Sequence, residues 1–387
     1  MKIGVMSDTH NDTGGALPYI IAEFKKRGVE GVIHCGDIIP QHVSRELFGN
    51  LPVICAIVKG QPDDPCFNEK CPDGWRFTRS DNRVVRLFDG GELVYVGHKR
   101  HMDFLTGTEE KFNETLTNLR MEFDGLRMVF GGHLHFQTFM HGNLVNFINP
   151  GAVEPEGSIG WGYEFTIVDT ENREVVFSRI LPTPDDRQPW SIGVISDSLD
   201  VTHRDSTYWQ KLAHEFRQRG VTNVIHCGNI AVSDIGHPDL TDGFTVHYAI
   251  RDNQKKEYAE LKKTGKIPGN WKVISEENLD KGAEVVINGY HFFVQLDLGF
   301  DFMTISEHNM DSRAMKIRRE NPETEFVLCG FTREALLVEG QQVITINPGN
   351  TNADRGFVVI CLPRREITFG HVPYDPLPKL PNKSAKK

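Results

Sequence analysis

Acidic and imidazole side chains recur where apolar segments end in the first half of this 387-residue chain. The residues that follow these segments are, in order, Asp8, His10, Asp37, Gln61, His98, His133 and His135. The carboxyl ends of parallel strands meet at one edge of a sheet, so we expect these side chains to converge. Aspartate oxygens and histidine nitrogens form the mixed ligand set of a transition-metal site. A carboxylate lying between two ions bridges them, which suits in-line displacement at phosphorus.

The elements that must position these residues begin as strand, helix, strand. Short apolar runs at residues 3–6 and 32–33 predict the first two strands. Between them, Leu17, Ile20, Ile21 and Phe24 have helical spacing, and a basic pair with Gly28 predicts the helix end. Further strands are predicted at 53–58, 93–96, 128–130, 145–148, 163–168 and 173–177. Parallel strands early and a hairpin late predict an α/β fold, a sandwich of two mixed β-sheets flanked by helices.

The chain also repeats itself. Residues 3–9 read IGVMSDT and residues 192–198 read IGVISDS, while VIHCGDI at 32–38 returns as VIHCGNI at 224–230. INPG occurs at 148–151 and again at 346–349. Ordered blocks at a nearly constant offset indicate a tandem duplication. We therefore predict a first repeat at 1–180, a proline-rich linker at 181–190, a second repeat at 191–373 and an extended tail at 374–387.

The ordered set D-x-H, G-D, H and G-H-x-H in the first repeat resembles the calcineurin-like metallophosphoesterase superfamily. INPG after G-H-x-H is most similar to its small bacterial and archaeal phosphodiesterase branch. The resemblance implies two tandem metallophosphoesterase-like domains and hydrolysis of a phosphate ester, with a phosphodiester favoured. The same branch includes a eukaryotic retromer subunit that uses the fold as a scaffold, so a non-catalytic interaction scaffold is the alternative function.

The resemblance also implies roles for individual residues. Asp8, His10 and His135 would bind one metal ion, and Asp37 would bridge two ions. His133 would bind the second ion together with a preceding histidine. A metal-bridging hydroxide would then attack phosphorus. The implied cofactor is a pair of divalent ions, with Mn²⁺ expected and Zn²⁺, Fe or Ni²⁺ as alternatives.

Two positions depart from the family pattern. Gln61 stands where the family has asparagine, and its amide oxygen is one methylene further from the backbone. The usual ligand position before G-H-x-H falls at Gly97, so we assign that role to His98, one residue later, with His101 in reserve.

The second repeat keeps the framework and loses the ligands. Asp8 corresponds to Asp197, but the other ligand positions become Leu199, Asn229, a site near Leu296, Phe331 and Arg333. One carboxylate does not hold two divalent ions, so we expect no catalytic metal there. We expect that domain to support the first site or to bind a protein partner or a regulatory ligand. His34 and Asn149 recur as His226 and Asn347, which indicates framework roles for both.

Composition excludes several functional classes. The net charge of −10 and pI of about 5.9 give no general attraction for nucleic acid or anionic membranes. No apolar run approaches the roughly 18 residues needed to span a bilayer. Most of the seven cysteines lie in apolar, strand-like runs, which predicts reduced, buried thiols. We expect a cytoplasmic enzyme.

Overall fold

The computed structural model describes residues 1–10, 12, 15–39, 42, 45–57, 72–78, 83–88, 90–98, 109–142, 145–154, 162–181, 187–199, 205–275, 282–296, 312–330, 335–339, 343–351 and 355–372. All structural statements below concern these residues. Gln61, His101, Phe331, Arg333 and the predicted tail at 374–387 lie outside them.

The first half of the described chain contains eleven strands and three helices. The strands are β1 (Lys2–Met6), β2 (Gly31–His34), β3 (Val53–Ala56), β4 (Trp75–Thr78), β5 (Val84–Arg86), β6 (Leu93–Val96), β7 (Leu126–Phe130), β8 (Gln137–His141), β9 (Asn146–Pro150), β10 (Tyr163–Asp169) and β11 (Glu174–Ile180). The helices are α1 (Leu17–Lys26), α2 (Arg45–Phe48) and α3 (Glu109–Glu122).

The second half follows a similar order. Its described strands are β12 (Trp190–Ile195), β13 (Val221–His226), β14 (Thr245–Tyr248), β15 (Trp271–Val273), β16 (Ala283–Ile287), β17 (Tyr290–Gln295), β18 (Thr324–Cys329), β19 (Leu336–Glu339), β20 (Ile344–Asn347), β21 (Gly356–Leu362) and β22 (Glu366–His371). Its helices are α4 (Tyr208–Gln218), α5 (Pro238–Thr241), α6 (Lys255–Lys263) and α7 (Ser312–Glu320), with 3₁₀ turns at Val232–Asp234 and Asp252–Gln254.

These strands form two sheets that both run through the two repeats. The twelve-stranded sheet has the order β15-β14-β13-β12-β21-β22-β11-β10-β1-β2-β3-β4. The ten-stranded sheet has the order β16-β17-β18-β20-β19-β8-β9-β7-β6-β5. In the first repeat β1 to β4 are mutually parallel, whereas β10 and β11 are antiparallel additions. The predicted two-sheet α/β sandwich is confirmed.

Hydrophobic patterning explains why each layer lies where it does. One apolar core fills the space between the two sheets and contains residues of both repeats. Helix α1 covers the outer face of the large sheet with Leu17, Ile20, Ile21 and Phe24, the four residues that its spacing predicted. The carboxylate of Asp12 accepts the free backbone N–H groups at the start of α1. In the second repeat, helix α4 covers the outer face of the same sheet with its own apolar residues.

The repeats join edge to edge through two antiparallel strand pairs. In the large sheet β11 pairs with β22, and Val176 faces Thr368. In the small sheet β8 pairs with β19, and Phe139 faces Leu337. Each facing pair is also an equivalent pair in the repeat alignment, so the two halves meet as an isologous dimer would around a pseudo-two-fold axis. Joining the edges removes four exposed strand edges from solvent.

Matching ion pairs cross the boundary on both sides of this axis. Arg27, at the end of α1, contacts Glu366 at 2.7 Å. Its counterpart Arg219, at the end of α4, contacts Glu174. The side chains are about one-fifth to one-quarter exposed, and pairs with this much exposure contribute at most ~1 kcal/mol each. The junction therefore depends mainly on strand pairing and the shared core.

The described cysteines lie mostly inside the protein. Cys35, Cys55, Cys227 and Cys329 are buried, whereas Cys361 is partly buried. Within the described ranges, we find no helix with both the length and the apolar character that crossing a bilayer requires. The strand β8 has no counterpart among the sequence predictions, because it follows the histidine motif directly and carries polar residues.

Candidate metal centre

The ends of four strands position the candidate ligands along one rim of the first repeat. Asp8 follows β1 and Asp37 follows β2, while His98 follows β6 of the other sheet. His133 and His135 lie in the turn between β7 and β8. The rim is therefore assembled from both sheets, and the convergence expected from the sequence is observed for these residues.

The backbone at the rim is unusual. Asp8, His10, Asp37, His133 and His135 all have positive φ angles, between 37° and 74°. Non-glycine residues seldom adopt this left-handed region, and such strain concentrates at functional sites. Two backbone hydrogen bonds hold the turns, from Asp8 N to Gly36 O at 3.0 Å and from His10 N to Asp37 O at 3.1 Å.

A glycine allows the two sheets to approach each other beneath the rim. Gly36 has φ +111°, and a Cβ there would lie 2.8 Å from Cβ of His98. Because no side chain occupies that space, His98 can reach the carboxylates that follow β1 and β2. Its Nε2 atom lies 3.8 Å from an oxygen of Asp8 and 3.8 Å from an oxygen of Asp37.

The ligand atoms fall into two clusters that share one carboxylate. One cluster comprises Asp8, His10 and His135, and the other comprises Asp8, Asp37 and His98. Within each cluster the possible ligand atoms lie within 4.8 Å of one another. Asp37 also approaches the first cluster, because its Oδ2 atom lies 3.7 Å from Nδ1 of His10. Two adjacent three-ligand groups that share Asp8, with Asp37 close to both, suit a pair of cations.

Asp8 is the most deeply buried of these ligands and has no exposed surface. Burial opposes ionisation, but the adjacent imidazoles of His135 and His98 hold the pKa of the Asp8 carboxyl below its usual range. Its Oδ2 atom accepts the backbone N–H of His133 at 2.9 Å. Its Oδ1 atom lies 3.2 Å from Nε2 of His135. An ionised, oriented carboxylate is thus available to a cation.

His98 is oriented as a metal-binding histidine would be. Its Nδ1 atom lies 3.1 Å from the carbonyl oxygen of Cys35, an acceptor, so Nδ1 carries the proton and Nε2 offers a lone pair. Nε2 is buried, and no described residue forms a hydrogen bond with it. A lone pair directed at two carboxylates is favourable when a cation lies between them, so the residues fit the implied metal. Sequence reasoning missed the Cys35 carbonyl, since a backbone acceptor has no side-chain signature.

His133 completes the histidine set without joining either cluster. Its ring centroid lies 5.2 Å from that of His98 and 6.2 Å from that of His135. The remaining predicted ligand, Gln61, lies outside the described residues.

Two repeated residues have the framework roles that the sequence indicated. His34 is fully buried, which lowers its pKa to about 3. Its Nδ1 atom accepts the N–H of Gly36, so Nε2 carries the proton toward the hydroxyl of Thr9 at 3.2 Å. Asn149 donates to the carbonyl of Gly132 and accepts the N–H of Gly151. Both residues stabilise the turns that carry the ligands.

The corresponding rim of the second repeat retains the turns with different side chains. A Cβ at Gly228 would lie 2.0 Å from Cδ1 of Leu296, as a Cβ at Gly36 would meet His98. Leu296 therefore occupies the position of His98, as the repeat alignment predicted. Asn229 donates from Nδ2 to Oδ1 of Asp197 at 2.8 Å, where the first repeat has two carboxylates. The partner or regulatory ligand expected at this repeat stays a prediction.

Comparison with known proteins agrees with this geometry. The sequence model of the calcineurin-like phosphoesterase superfamily domain matches residues 1–173 and again residues 191–361. The chain belongs to the calcineurin-like phosphoesterase superfamily. The two matches show that the superfamily domain occurs in tandem, and the protein is a metallophosphoesterase.

Individual relatives match about half of the chain. A curated phosphodiesterase of Methanocaldococcus jannaschii is 30% identical over 182 residues, which is 45% of this chain and 96% of that protein. A solved archaeal phosphodiesterase is 20% identical, covers 46% of this chain and 98% of its own, and has a TM-score of 0.30. Vps29 of Entamoeba histolytica is 15% identical, covers 46% of this chain and 91% of its own, and has a TM-score of 0.32.

Proposed function

We propose that this metallophosphoesterase is a dinuclear, metal-dependent phosphodiesterase whose active site is the rim of the first repeat. The observation that carries the proposal is the pair of ligand clusters that share Asp8. The carboxylate that the clusters share is fully buried, unlike the exposed acidic groups that often lie together without a cation. The site is the one that the superfamily resemblance implied.

In this proposal the ligands divide between two cations. Asp8, His10 and His135 hold the first cation, and Asp37 bridges both. His98, His133 and Gln61 complete the second site. Together the ligands are the nitrogen and oxygen donors that suit Mn²⁺, and Zn²⁺, Fe and Ni²⁺ accept the same set. Two bound cations would supply an activated water and neutralise charge on the phosphate.

The burial pattern gives the rim a floor and an open side. Asp8 and His98 form the floor, with side chains at most 2% exposed. His10, Asp37 and His135 stand above it, each about one-fifth exposed. A phosphate ester would therefore approach from the side of these three residues, while the buried pair keeps the first ligands in fixed orientations. Fixed ligands matter because displacements of ~1 Å are costly in catalysis.

The phosphodiester specificity rests on the curated relative from Methanocaldococcus jannaschii, whose name is that of a phosphodiesterase. A cytoplasmic location is part of the proposal because most of the cysteines lie in apolar, strand-like runs, where reduced and buried thiols are expected.

Hydrolysis of bis(p-nitrophenyl) phosphate, with and without added Mn²⁺, tests the proposal together with metal analysis of the purified chain. We expect about two metal ions per chain and Mn²⁺-dependent release of p-nitrophenol. Asp37→Asn should abolish that activity without unfolding the chain, because a neutral amide does not replace a bridging carboxylate. A chain that binds no metal and hydrolyses no ester would support the scaffold alternative instead.

A separate variant examines the ligand that lies outside the described residues. Gln61→Asn should retain activity if Gln61 fills the family's asparagine position, because the shorter amide restores the usual ligand. Complete loss of activity in Gln61→Asn would contradict that assignment.

A further inference from the structure

Four polar side chains are sealed between the two repeats, directly beneath the metal rim. They are Gln137, Glu164 and Arg179 of the first repeat and Glu339 of the second, and we call them the interface quartet. All four side chains are buried, and that of Glu339 is the most exposed at 2%. Arg179 donates from Nη1 to Oε1 of Glu339 at 2.5 Å and from Nη2 to Oε1 of Gln137 at 2.8 Å. Buried charges persist only when they are paired and hydrogen-bonded in this way.

The quartet is connected to the histidine turn through Gln137. This residue follows His135 by two positions and begins β8. Its backbone N–H donates to Oε2 of Glu339 at 3.2 Å. Its side-chain amide donates to the carbonyls of Ser178 and Phe165 at 2.9 and 3.1 Å. The point where the histidine turn rejoins the sheet is thus held by a carboxylate from the other repeat.

The quartet also contacts another loop of the rim, residues 151–154, which follow β9. The backbone N–H of Glu164 donates to the carbonyl of Ala152 at 3.0 Å. Two residues later in that loop, the N–H of Glu154 donates to the carbonyl of Asp8 at 3.1 Å. Burial, with the neighbouring Glu339 carboxylate, raises the pKa of Glu164 well above its usual range.

The pseudo-two-fold axis provides an internal control, because the same positions occur on its other side. The repeat alignment places Ala335, Gly356 and His371 at the positions of Gln137, Glu164 and Arg179. His141 stands opposite His371 in place of Glu339, with ring centroids 6.4 Å apart. The rim with a full ligand set therefore has the quartet beneath it, and the rim that lost its ligands does not.

We propose that Glu339 of the second repeat is a positioning residue for the metal site of the first repeat, acting through Gln137 on the turn that carries His133 and His135. The second repeat then serves as a built-in supporting subunit of the enzyme. This inference rests on the proposed metal site in the first repeat. Residues that orient metal ligands from behind typically change metal affinity or activity by ~10- to 100-fold when altered.

The test compares three variants of the full chain with the wild type by Co²⁺ titration, followed through its visible absorption, and by hydrolysis of bis(p-nitrophenyl) phosphate. Arg179→Met with Glu339→Leu removes both charges together, so no unpaired ion stays buried. We expect its Co²⁺ affinity to fall ~10-fold and kcat to fall with KM unchanged. Glu339→Gln leaves one acceptor oxygen for two donors, the N–H of Gln137 and the guanidinium of Arg179, so it should also weaken Co²⁺ binding and lower the unfolding temperature.

Glu174→Gln is the matched control. It breaks the Arg219–Glu174 pair, which crosses the same boundary on the other side of the pseudo-two-fold axis. We expect a lower unfolding temperature in this variant with an unchanged Co²⁺ titration. If the double variant does not fold, Glu339→Asp replaces it, since the shorter carboxylate draws away from Gln137 and should also weaken Co²⁺ binding.

Three outcomes would overturn the inference in distinguishable ways. A folded double variant, or Glu339→Asp in its place, with the wild-type Co²⁺ titration would overturn this inference alone. A wild-type chain that binds no Co²⁺ would overturn the proposed metal site and this inference with it. Equal weakening of Co²⁺ binding in Glu174→Gln would show a general effect of the boundary and would overturn a specific role for Glu339.

Discussion

The rims of the two repeats can be compared atom by atom. Asp8 and Asp37 have φ angles of 53° and 60°, and Asp197 and Asn229 have 54° and 59°. The backbone hydrogen bond that closes the turn, from Asp8 to Gly36 or from Asp197 to Gly228, is 3.0 Å long in both. The second rim has thus kept a strained backbone conformation although most of the ligand side chains have changed.

The rim turns therefore keep their shape without a full set of metal ligands. His34 and His226 each accept the N–H of the following glycine at 3.2 Å, and each contacts a hydroxyl group with the opposite ring nitrogen. These buried bonds, with the glycine that follows, define the rim backbone in both repeats. The metal chemistry then depends on the side chains placed on this common frame.

The largest effect on activity is expected at Asp8, and none is expected at its equivalent, Asp197. Asp8→Asn should lower kcat/KM for bis(p-nitrophenyl) phosphate at least ~100-fold, because an amide replaces the buried carboxylate shared by both ligand clusters. Asp197→Asn should leave kcat/KM within twofold of wild type. Steady-state kinetics on both variants checks this. Similar losses in the two variants would mean that both rims take part in catalysis, which would contradict a single active site in the first repeat.

The next largest effect is expected at His98, whose position is occupied by Leu296 in the second repeat. His98→Ala should reduce activity by at least ~10-fold, because it removes a buried ligand atom facing two carboxylates. His101→Ala, the matched change three residues later, should reduce activity less. Parallel activity assays and Mn²⁺ titrations measure both. A larger loss in His101→Ala would move the ligand assignment from His98 to His101.

A smaller effect is expected where the sheets approach each other. Gly36→Ala places a Cβ 2.8 Å from Cβ of His98, so it should displace the ligand and lower activity ~10-fold. It should also destabilise the fold by ~1–3 kcal/mol through overpacking. Gly228→Ala meets the flexible end of Leu296 and should reduce stability without reducing activity. Urea denaturation and assays at saturating Mn²⁺ distinguish these results, and an active Gly36→Ala would argue against His98 as a ligand.

The smallest expected effect is on the pH dependence of stability, not on activity. Burial lowers the pKa of both His34 and His226 to about 3, whereas an unfolded histidine titrates near 6.5. Below pH ~6.5 the unfolded chain binds protons that the folded chain does not, so stability falls as the pH drops from 6.5 toward 3.

Replacing either histidine should reduce that dependence. His226→Gln should make the free energy of unfolding less steep by ~1.4 kcal/mol per pH unit within this window. His34→Gln should change the slope equally if the two frames are alike. Urea denaturation between pH 7 and 4 measures the slope, and an unchanged slope in both variants would show that these rings titrate normally in the folded protein.

Much of the site was determined by the sequence alone. Asp8, Asp37, His98, His133 and His135 each lie just beyond an apolar strand, and parallel strands present their carboxyl ends at one edge. The short apolar runs and the helical spacing are local, so they predicted the rim and helix α1 from short stretches of chain. The duplication could also be recognised from the sequence, because two copies of one framework align without any knowledge of their contacts.

Only the tertiary structure decided how the two repeats are joined. Strand β8 pairs with β19 through backbone groups, and neither edge has a side-chain pattern that names its partner. Glu339 reaches Gln137 across 202 residues of sequence, and the Cys35 carbonyl orients His98 across 63. Such contacts depend on which strand edges pair and on which groups surround the buried charges. The local spacing of residues does not predict either of these, because both follow from the packing of the whole chain.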